Sequence, residues 1–277
     1  MSAAPQPTQQ PTQQPTQQPA PQIAAQVTEP VTPQNTAQRI ALWDLPTRLF
    51  HWGLVAAVAT AFVSGQLGGN LITLHGKAGL VVVGLLVFRL VWGFVGNVYA
   101  RFLHFAPTPG RLRAYLKGQW QGHGHNPLGA LSVFVLLGLL ALQVGTGLFT
   151  NDDIAFTGPL FPLIDEDLAQ RITGLHKQLS WVLLGFLALH LAAIVFHVRI
   201  KKHNLVKPMI TGWKDVPTDA AASDTPSAAG TAPATRQSLR LVALLAALVL
   251  AGAATYGAAG GWLPAPPPVP AAAPAPF

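Results

Sequence analysis

Four histidines stand near the ends of long apolar runs in this chain of 277 residues: His51, His75, His176 and His190. A ligating or ionisable side chain within a membrane span is costly, so its presence there indicates a function. His176 and His190 are 14 residues apart, which is about 21 Å along a helix. At 100° per residue their side chains lie within about 40° of the same helix face. One helix could therefore supply a ligand to each of two metal centres at different depths.

The path of the chain determines how these histidines pair. His51 begins the first apolar run and His75 begins the second, so an up-and-down path puts them at opposite membrane faces. The run that holds His176 and His190 enters from the outer face. We therefore expect His75 to pair with His176, and His51 to pair with His190. Two imidazoles on each iron would leave no open position for oxygen chemistry, which favours two bis-histidine haems that transfer electrons.

The other histidines are weaker candidates. His197 lies seven residues after His190, on nearly the same helix face. It would lie about 31 Å from His176, which is too far for two irons inside a hydrocarbon layer of roughly 30 Å. The remaining histidines are expected in loops, and the GHGH run at 122–125 is more typical of a solvated turn than of a metal site. These loop histidines are His104, His123, His125 and His203.

Basic side chains near the predicted haems could bind propionates. Arg89 lies inside the second apolar run, where an unpaired charge is costly, so we expect it to meet a propionate; snorkelling to the interface is the alternative. Lys77 and Lys177 each follow a histidine of the outer face, and either propionate pairing or interfacial anchoring explains them. Gln143 and Lys77 are polar groups that a quinone site could use.

Composition predicts an integral membrane protein. Half of the residues are hydrophobic, a tenth are charged and the mean hydropathy is +0.38, which is too apolar for a soluble domain of this length. Runs long enough to cross about 30 Å of hydrocarbon predict an all-α membrane protein, a four-helix transmembrane bundle plus one additional C-terminal transmembrane helix. The spans are predicted at residues 49–67, 75–96, 128–149, 177–198 and 240–262.

Several classes of protein are excluded or disfavoured. The chain has no cysteine, which excludes disulfides, thiolate metal sites, iron–sulfur clusters and covalently attached haem. Its two methionines, Met1 and Met209, lie outside the predicted spans, so they are poor candidates for haem ligands. The chain has a net charge of +7, but its basic residues are distributed according to membrane side. They do not form a patch of the kind that binds a nucleic-acid groove, so we expect no nucleic-acid partner. A histidine-based metal transporter would need acidic groups within the spans, and the predicted spans contain none.

Charge also predicts the orientation. Thirteen of the seventeen lysines and arginines lie on one side of the predicted spans, and this side is cytoplasmic by the positive-inside rule. The N-terminus is then cytoplasmic and, with five spans, the C-terminus is periplasmic. We expect a multi-pass protein of the bacterial inner membrane. An acidic loop at residues 152–167 would face the periplasm, either as an ordinary solvated loop or as a docking surface for a basic redox partner.

Composition divides the chain into five segments. Residues 1–38 carry a PTQQ repeat and many prolines, which predicts a disordered cytoplasmic tail. Residues 39–214 form the predicted four-helix bundle, and 215–238 a flexible linker. Residues 239–263 form the fifth helix, whose lack of histidine predicts an anchoring or packing role, and 264–277 an Ala- and Pro-rich tail. No charged segment followed by an apolar run opens the chain, so we expect no cleavable signal peptide.

Three stretches resemble the prokaryotic cytochrome b561 family, which includes the cytochrome b subunits of nickel–iron hydrogenases. They are WDLPTRLFHW at 43–52, HGKAG…FRLVWG at 75–93, and H-x13-H in the fourth span. The resemblance covers about residues 39–214 and implies a di-haem b cytochrome whose four ligands are the histidines paired above. It implies electron transfer between a quinone pool and a redox partner, such as cytochrome c or a dehydrogenase or hydrogenase subunit. Some relatives oxidise superoxide while reducing quinone, so a catalytic quinone oxidoreductase is the alternative.

Overall fold

The computed structural model describes residue 4 and residues 37–120, 122, 124–154, 156–217 and 234–264. Most of the predicted N-terminal tail, most of the predicted linker and nearly all of the C-terminal tail therefore lie outside the described residues. In the part of the chain that is described, the structure is helical apart from one small sheet and an isolated bridge in a loop. This confirms the predicted all-α class.

Five of the described helices are long and apolar enough to cross a membrane, as the sequence predicts. They are α1 (Leu45–Leu67), α2 (Ile72–Val95), α5 (Pro127–Gly147), α6 (Glu166–Arg199) and α8 (Ala234–Ala258). Three of the described α-helices are short: α3 (Phe102–Phe105), α4 (Pro109–Leu116) and α7 (Val206–Thr211). Single 3₁₀ turns lie at Gly69–Leu71, Val98–Ala100 and Phe161–Leu163. The short helices lie in the connections between the long ones, and hydropathy alone does not predict them.

Side-chain caps determine where the long helices begin. The Asp44 carboxylate accepts from the Thr47 amide at 3.0 Å and starts α1, and the Asn126 side chain starts α5 in the same way. Asp165 starts α6 by accepting from the Leu168 amide at 2.9 Å. Such caps satisfy amides that have no partner within the helix. Helix α6 therefore begins at Glu166, well before the predicted span start at 177, and His176 lies inside the helix rather than at its end.

Helix α2 is the central element of the bundle. It packs against α1, α5 and α8, while α6 packs mainly on α5. Phe88 and Trp92 of α2 share a buried cluster with Ala247 and Ala251 of α8. At Gly84 an added Cβ would lie 2.5 Å from the Thr255 hydroxyl of α8, so this glycine permits close helix approach. The fifth helix thus packs on the bundle, and many of the outward side chains of the long helices are large exposed hydrophobics, as a lipid-facing surface requires.

A two-stranded sheet joins the two ends of the predicted bundle segment. Strand β1 (Ala37–Ala41) pairs antiparallel with β2 (Trp213–Pro217), from Ala37 opposite Pro217 to Ala41 opposite Trp213. Two exposed ion pairs accompany it, from Arg39 and Lys207 to Asp215 at 3.7 and 3.1 Å. The sequence did not predict this sheet, because each strand is only five residues long and its partner is distant in sequence.

Candidate functional site

The outer histidine pair consists of His75 on α2 and His176 on α6. Their ring centroids are 5.9 Å apart and the rings are nearly perpendicular, at 89°. Two imidazoles that share one metal at about 2 Å from each nitrogen have ring centres about 6 Å apart. The structure therefore brings together two rings that the topology pairs, at a spacing compatible with a shared metal.

Both rings of the outer pair are oriented by backbone carbonyls. His75 Nδ1 donates to the Ala61 carbonyl at 2.7 Å, and His176 Nδ1 donates to the Gln143 carbonyl at 3.0 Å. A carbonyl can only accept, so each Nδ1 carries the proton and each Nε2 keeps its lone pair. A second hydrogen bond of this kind commonly fixes the tautomer of a metal-ligating histidine. The Nε2 atoms are thus prepared to bind a metal.

The Gln143 side chain contacts the outer pair directly. Its Nε2 atom donates to His176 Nε2 at 3.2 Å and to the His176 carbonyl at 3.2 Å. Its Oε1 atom is buried without a partner among the described residues. A metal bound to His176 Nε2 would take the place of this amide. The glutamine that the sequence suggests for a quinone site therefore lies against a predicted haem ligand.

Glycines make space for both rings of the outer pair. An added Cβ at Gly65 would lie 2.7 Å from His75 Nδ1, and one at Gly147 would lie 2.9 Å from His176 Cε1. Other glycines of the long helices have open space beside them, with no neighbour within 4 Å of an added Cβ; among them are Gly79, Gly145 and Gly185. Some glycines thus allow the imidazoles to pack closely against the helices, and others leave open space along the helix faces. Both features are compatible with a flat macrocycle bound between the helices.

The inner histidine pair consists of His51 on α1 and His190 on α6. Both rings are half-buried, and the charge of His190 acts on His51. His51 packs edge-on against Trp52, with ring centroids 5.2 Å apart, and its Nδ1 atom is buried without a partner among the described residues. The competing His197 also donates from Nδ1 to a backbone carbonyl, that of Ala193 in its own helix, at 2.9 Å. What favours His190 is proximity, because the charge of His190 acts on His51 and that of His197 does not.

Arg89 is buried at the same end of the bundle as the inner pair. Its side chain is only 3% exposed, so it does not snorkel to the interface. The guanidinium lies over the Phe102 ring at 4.4 Å and near the Phe105 ring at 6.0 Å. Its Nη1 atom has no partner among the described residues. A buried guanidinium that lacks an anion is expensive, so this position favours an anionic ligand.

His125 corrects the expectation of a solvated turn at 122–125. Its ring lies 4.6 Å from the rings of both Trp43 and Phe105, and its Nδ1 atom is fully enclosed. Burial lowers the pKa of His125 to about 3, with smaller contributions from the charges of Arg89 and the inner pair. The start of α5 gave a usable signal, because the Asn126 cap places His125 directly at the end of the bundle. His123 lies outside the described residues.

The remaining predicted site residues lie away from these contacts. Lys77 and Lys177 are exposed, which suits interfacial anchoring as well as propionate pairing. His104 packs against Tyr99, with ring centroids 5.5 Å apart. The described residues hold no cluster of three or more metal-ligating side chains, so the metal-transporter alternative gains no support.

Several acidic side chains of the loop at residues 152–167 take part in local hydrogen bonds. Asp165 caps α6, and Glu166 accepts from Asn151 Nδ2 at 2.8 Å. Asp152 accepts from the amides of Ile154 and Phe156 at 3.0 and 2.8 Å. These carboxylates hold the loop against the start of α6. The contacts favour a structural role for them over a partner-docking surface.

Comparison with known proteins identifies a family that covers most of the chain. The family described as prokaryotic cytochrome b561 matches residues 42–212 of the chain. A protein of Azotobacter vinelandii named "Probable Ni/Fe-hydrogenase B-type cytochrome subunit" is 26% identical over 216 residues, which cover 63% of this chain and 88% of the relative. A protein of Rhodobacter capsulatus with the same name is 25% identical over 212 residues, covering 63% and 81%.

A more distant relative comes from Escherichia coli (strain K12). It is named "Probable Ni/Fe-hydrogenase 1 B-type cytochrome subunit" and is 21% identical over 216 residues, which cover 62% of this chain and 89% of the relative. No solved structure gives a significant match. The similarity to the family spans the segment from just before α1 to the end of α7, and thus includes both histidine pairs.

Proposed function

The chain belongs to the prokaryotic cytochrome b561 family, and from that premise we propose that it is a di-haem cytochrome whose four axial ligands are the inner and outer histidine pairs. Membership makes it a haem-binding electron-transport protein of the membrane, with haem b as its cofactor. The number of haems, their bis-histidine ligation and the quinone link are proposed here. The observation that supports the proposal best is the geometry of the outer pair. Its ring centroids are 5.9 Å apart, and each Nδ1 donates a hydrogen bond to a backbone carbonyl.

Each part of the chain has a defined task in this proposal. Helix α6 provides His176 and His190, which lie about 21 Å apart along its axis and so serve both levels of the bundle. Helices α1 and α2 provide the opposing ligands, His51 and His75. The Ala61 and Gln143 carbonyls hold the outer imidazoles in the tautomer that exposes Nε2. A haem held by two imidazoles supplies one-electron transfer without an open iron position.

The partners follow from the chemistry and from the relatives. We propose that electrons pass between the quinone pool and a redox protein across the inner membrane. A nickel–iron hydrogenase is the favoured protein partner, because the curated relatives are named as subunits of such enzymes. The charge distribution supports a cytoplasmic N-terminus and a periplasmic C-terminus.

Haem stoichiometry tests the ligand assignment. We expect the purified chain to show a dithionite-reduced b-type spectrum and to bind two haems, measured as the pyridine haemochrome. His176→Ala and His51→Ala should each lose one haem, because each removes one ligand of a different pair. His197→Ala is the matched control on α6 and should keep both. Two haems retained in both ligand variants would refute the pairing, and absence of a b-type spectrum would refute the function.

Kinetics test the electron donors and acceptors. We expect quinol to reduce the purified protein rapidly in stopped-flow measurements, and the partner hydrogenase to exchange electrons with it when the two are combined. Fast reduction by superoxide with slow reduction by quinol would instead favour a catalytic superoxide:quinone activity. Slow reaction with both would point to the protein partner as the only direct electron donor.

A further inference from the structure

Two basic side chains beside the inner histidine pair end in enclosed nitrogen atoms that have no partner among the described residues. They are Arg89 Nη1 and His125 Nδ1. They come from different elements, since Arg89 belongs to α2 and His125 lies just before α5. The charge of Arg89 and those of the inner pair reach His125, so all four basic groups occupy one region. Three nitrogen atoms of this region, the two named above and His51 Nδ1, are buried without a partner among the described residues.

The carboxylate whose charge reaches Arg89 is already engaged. Asp44 is that residue, and its Oδ1 accepts from the Thr47 amide at 3.0 Å. Its Oδ2 accepts from Trp92 Nε1 at 3.1 Å. The ion pairs formed by the described residues do not include Arg89. The chain therefore positions a buried guanidinium with a carboxylate nearby but with no ion pair to it among the described residues.

Aromatic rings close this region from water. Phe102 and Phe105 lie over the guanidinium, and Trp43 and Phe105 flank the His125 ring. A guanidinium can only donate, so a ligand that satisfies it must offer acceptor atoms. Carboxylates bind such donors through short, charge-assisted hydrogen bonds, which strengthen where water is excluded.

We propose that Arg89 and His125 together form a carboxylate site that binds a propionate of the inner haem. This inference rests on the proposed function, because the inner pair must hold a haem for its propionates to be near. It assigns a role to a histidine that sequence patterns place in a solvated turn. It also makes the connection between α2 and α5 part of the haem pocket, through Phe102, Phe105 and His125.

Resonance Raman spectroscopy of the propionate bending vibrations tests this site. The background is His176→Ala, which should keep only the inner haem. In that background, His125→Phe keeps an aromatic ring between Trp43 and Phe105 but removes the hydrogen-bond donor. His125→Asn keeps a donor near the position of Nδ1. We expect the propionate band to shift in the phenylalanine variant and to stay close to the parent in the asparagine variant. His203→Asn, at an exposed loop position, is the control and should leave the band unchanged.

The possible outcomes separate the two proposals. An unchanged band in His125→Phe, with the haem still bound, overturns the carboxylate site and leaves the di-haem function intact. Loss of the inner haem in both His125 variants also overturns it, because His125 would then be an iron ligand. Loss of haem in His125→Phe alone supports the site, since the donor in His125→Asn would suffice. A parent protein with no haem at all refutes the proposed function instead.

Discussion

In the proposed di-haem arrangement, replacement of Gly65 by alanine should selectively weaken the binding of the outer haem. The added Cβ would lie 2.7 Å from His75 Nδ1 and 3.0 Å from Cε1. Ordinary contact begins at 3.4 Å, so the ring must withdraw by about 0.7 Å, which exceeds the roughly 0.5 Å tolerance of a preorganised site. The hydrogen bond from His75 to the Ala61 carbonyl, now 2.7 Å, would be strained by the same movement.

The expected size follows from the cost of overpacking. Overpacking a tight position costs about 1–3 kcal/mol, which corresponds to about 5- to 150-fold weaker haem binding if the cost falls on the bound state. The assay is the rate of haem transfer from the purified protein to an excess of apomyoglobin, followed spectroscopically. We expect one of two haems to leave faster in Gly65→Ala, while the other leaves at the parent rate.

A matched control separates the ring clash from a general helix effect. Gly252→Ala on α8 adds the same methyl group where nothing lies within 4 Å of it, so it reports only the change in helix propensity. Its haem release should equal that of the parent. Parent-like release of both haems from Gly65→Ala would show that the position of the His75 ring does not govern haem binding.

Three further predictions concern other parts of the bundle. Arg89→Met should lower the midpoint potential of the inner haem in a redox titration, because a buried cation stabilises the added electron; an unchanged potential would contradict this. Asp165→Ala should destabilise the protein by about 1 kcal/mol through loss of the α6 cap, measured by thermal unfolding in detergent against Asp167→Ala, which caps no helix. Gly84→Val should loosen α8 from α2 by collision with Thr255, and should raise the proteolytic sensitivity of α8 while both haems stay bound.

The membrane helices could be predicted because their signal is local. Long apolar runs mark the five spans, and the structure places a helix at each of them. Their starts were harder to predict, since Asp165 and the polar first turn of α6 lie outside the apolar run. The β1–β2 sheet escaped prediction for a different reason, because Ala41 and Trp213 are neighbours only after the whole bundle has folded.

The candidate site divides in the same way. The pairing of His75 with His176 follows from helix periodicity and from the up-and-down path of the chain, and the sequence predicts both. The group that orients His75 is the backbone carbonyl of Ala61. Every residue type has such a carbonyl, so the sequence does not indicate which one the histidine contacts. His125 stands in a polar run typical of a turn, and its enclosure depends on Trp43, far away in the sequence.

The small sheet has a consequence for how the bundle can be rearranged. Because Ala41 and Trp213 are paired, the first and last residues of the four-helix unit are adjacent in space. In a variant that ends before α8 and lacks the segment before β1, a short tether could join these residues and new ends could be opened in another connection, which is the condition for circular permutation. The same adjacency offers a single attachment point where fusion partners can be grafted without crossing the lipid again.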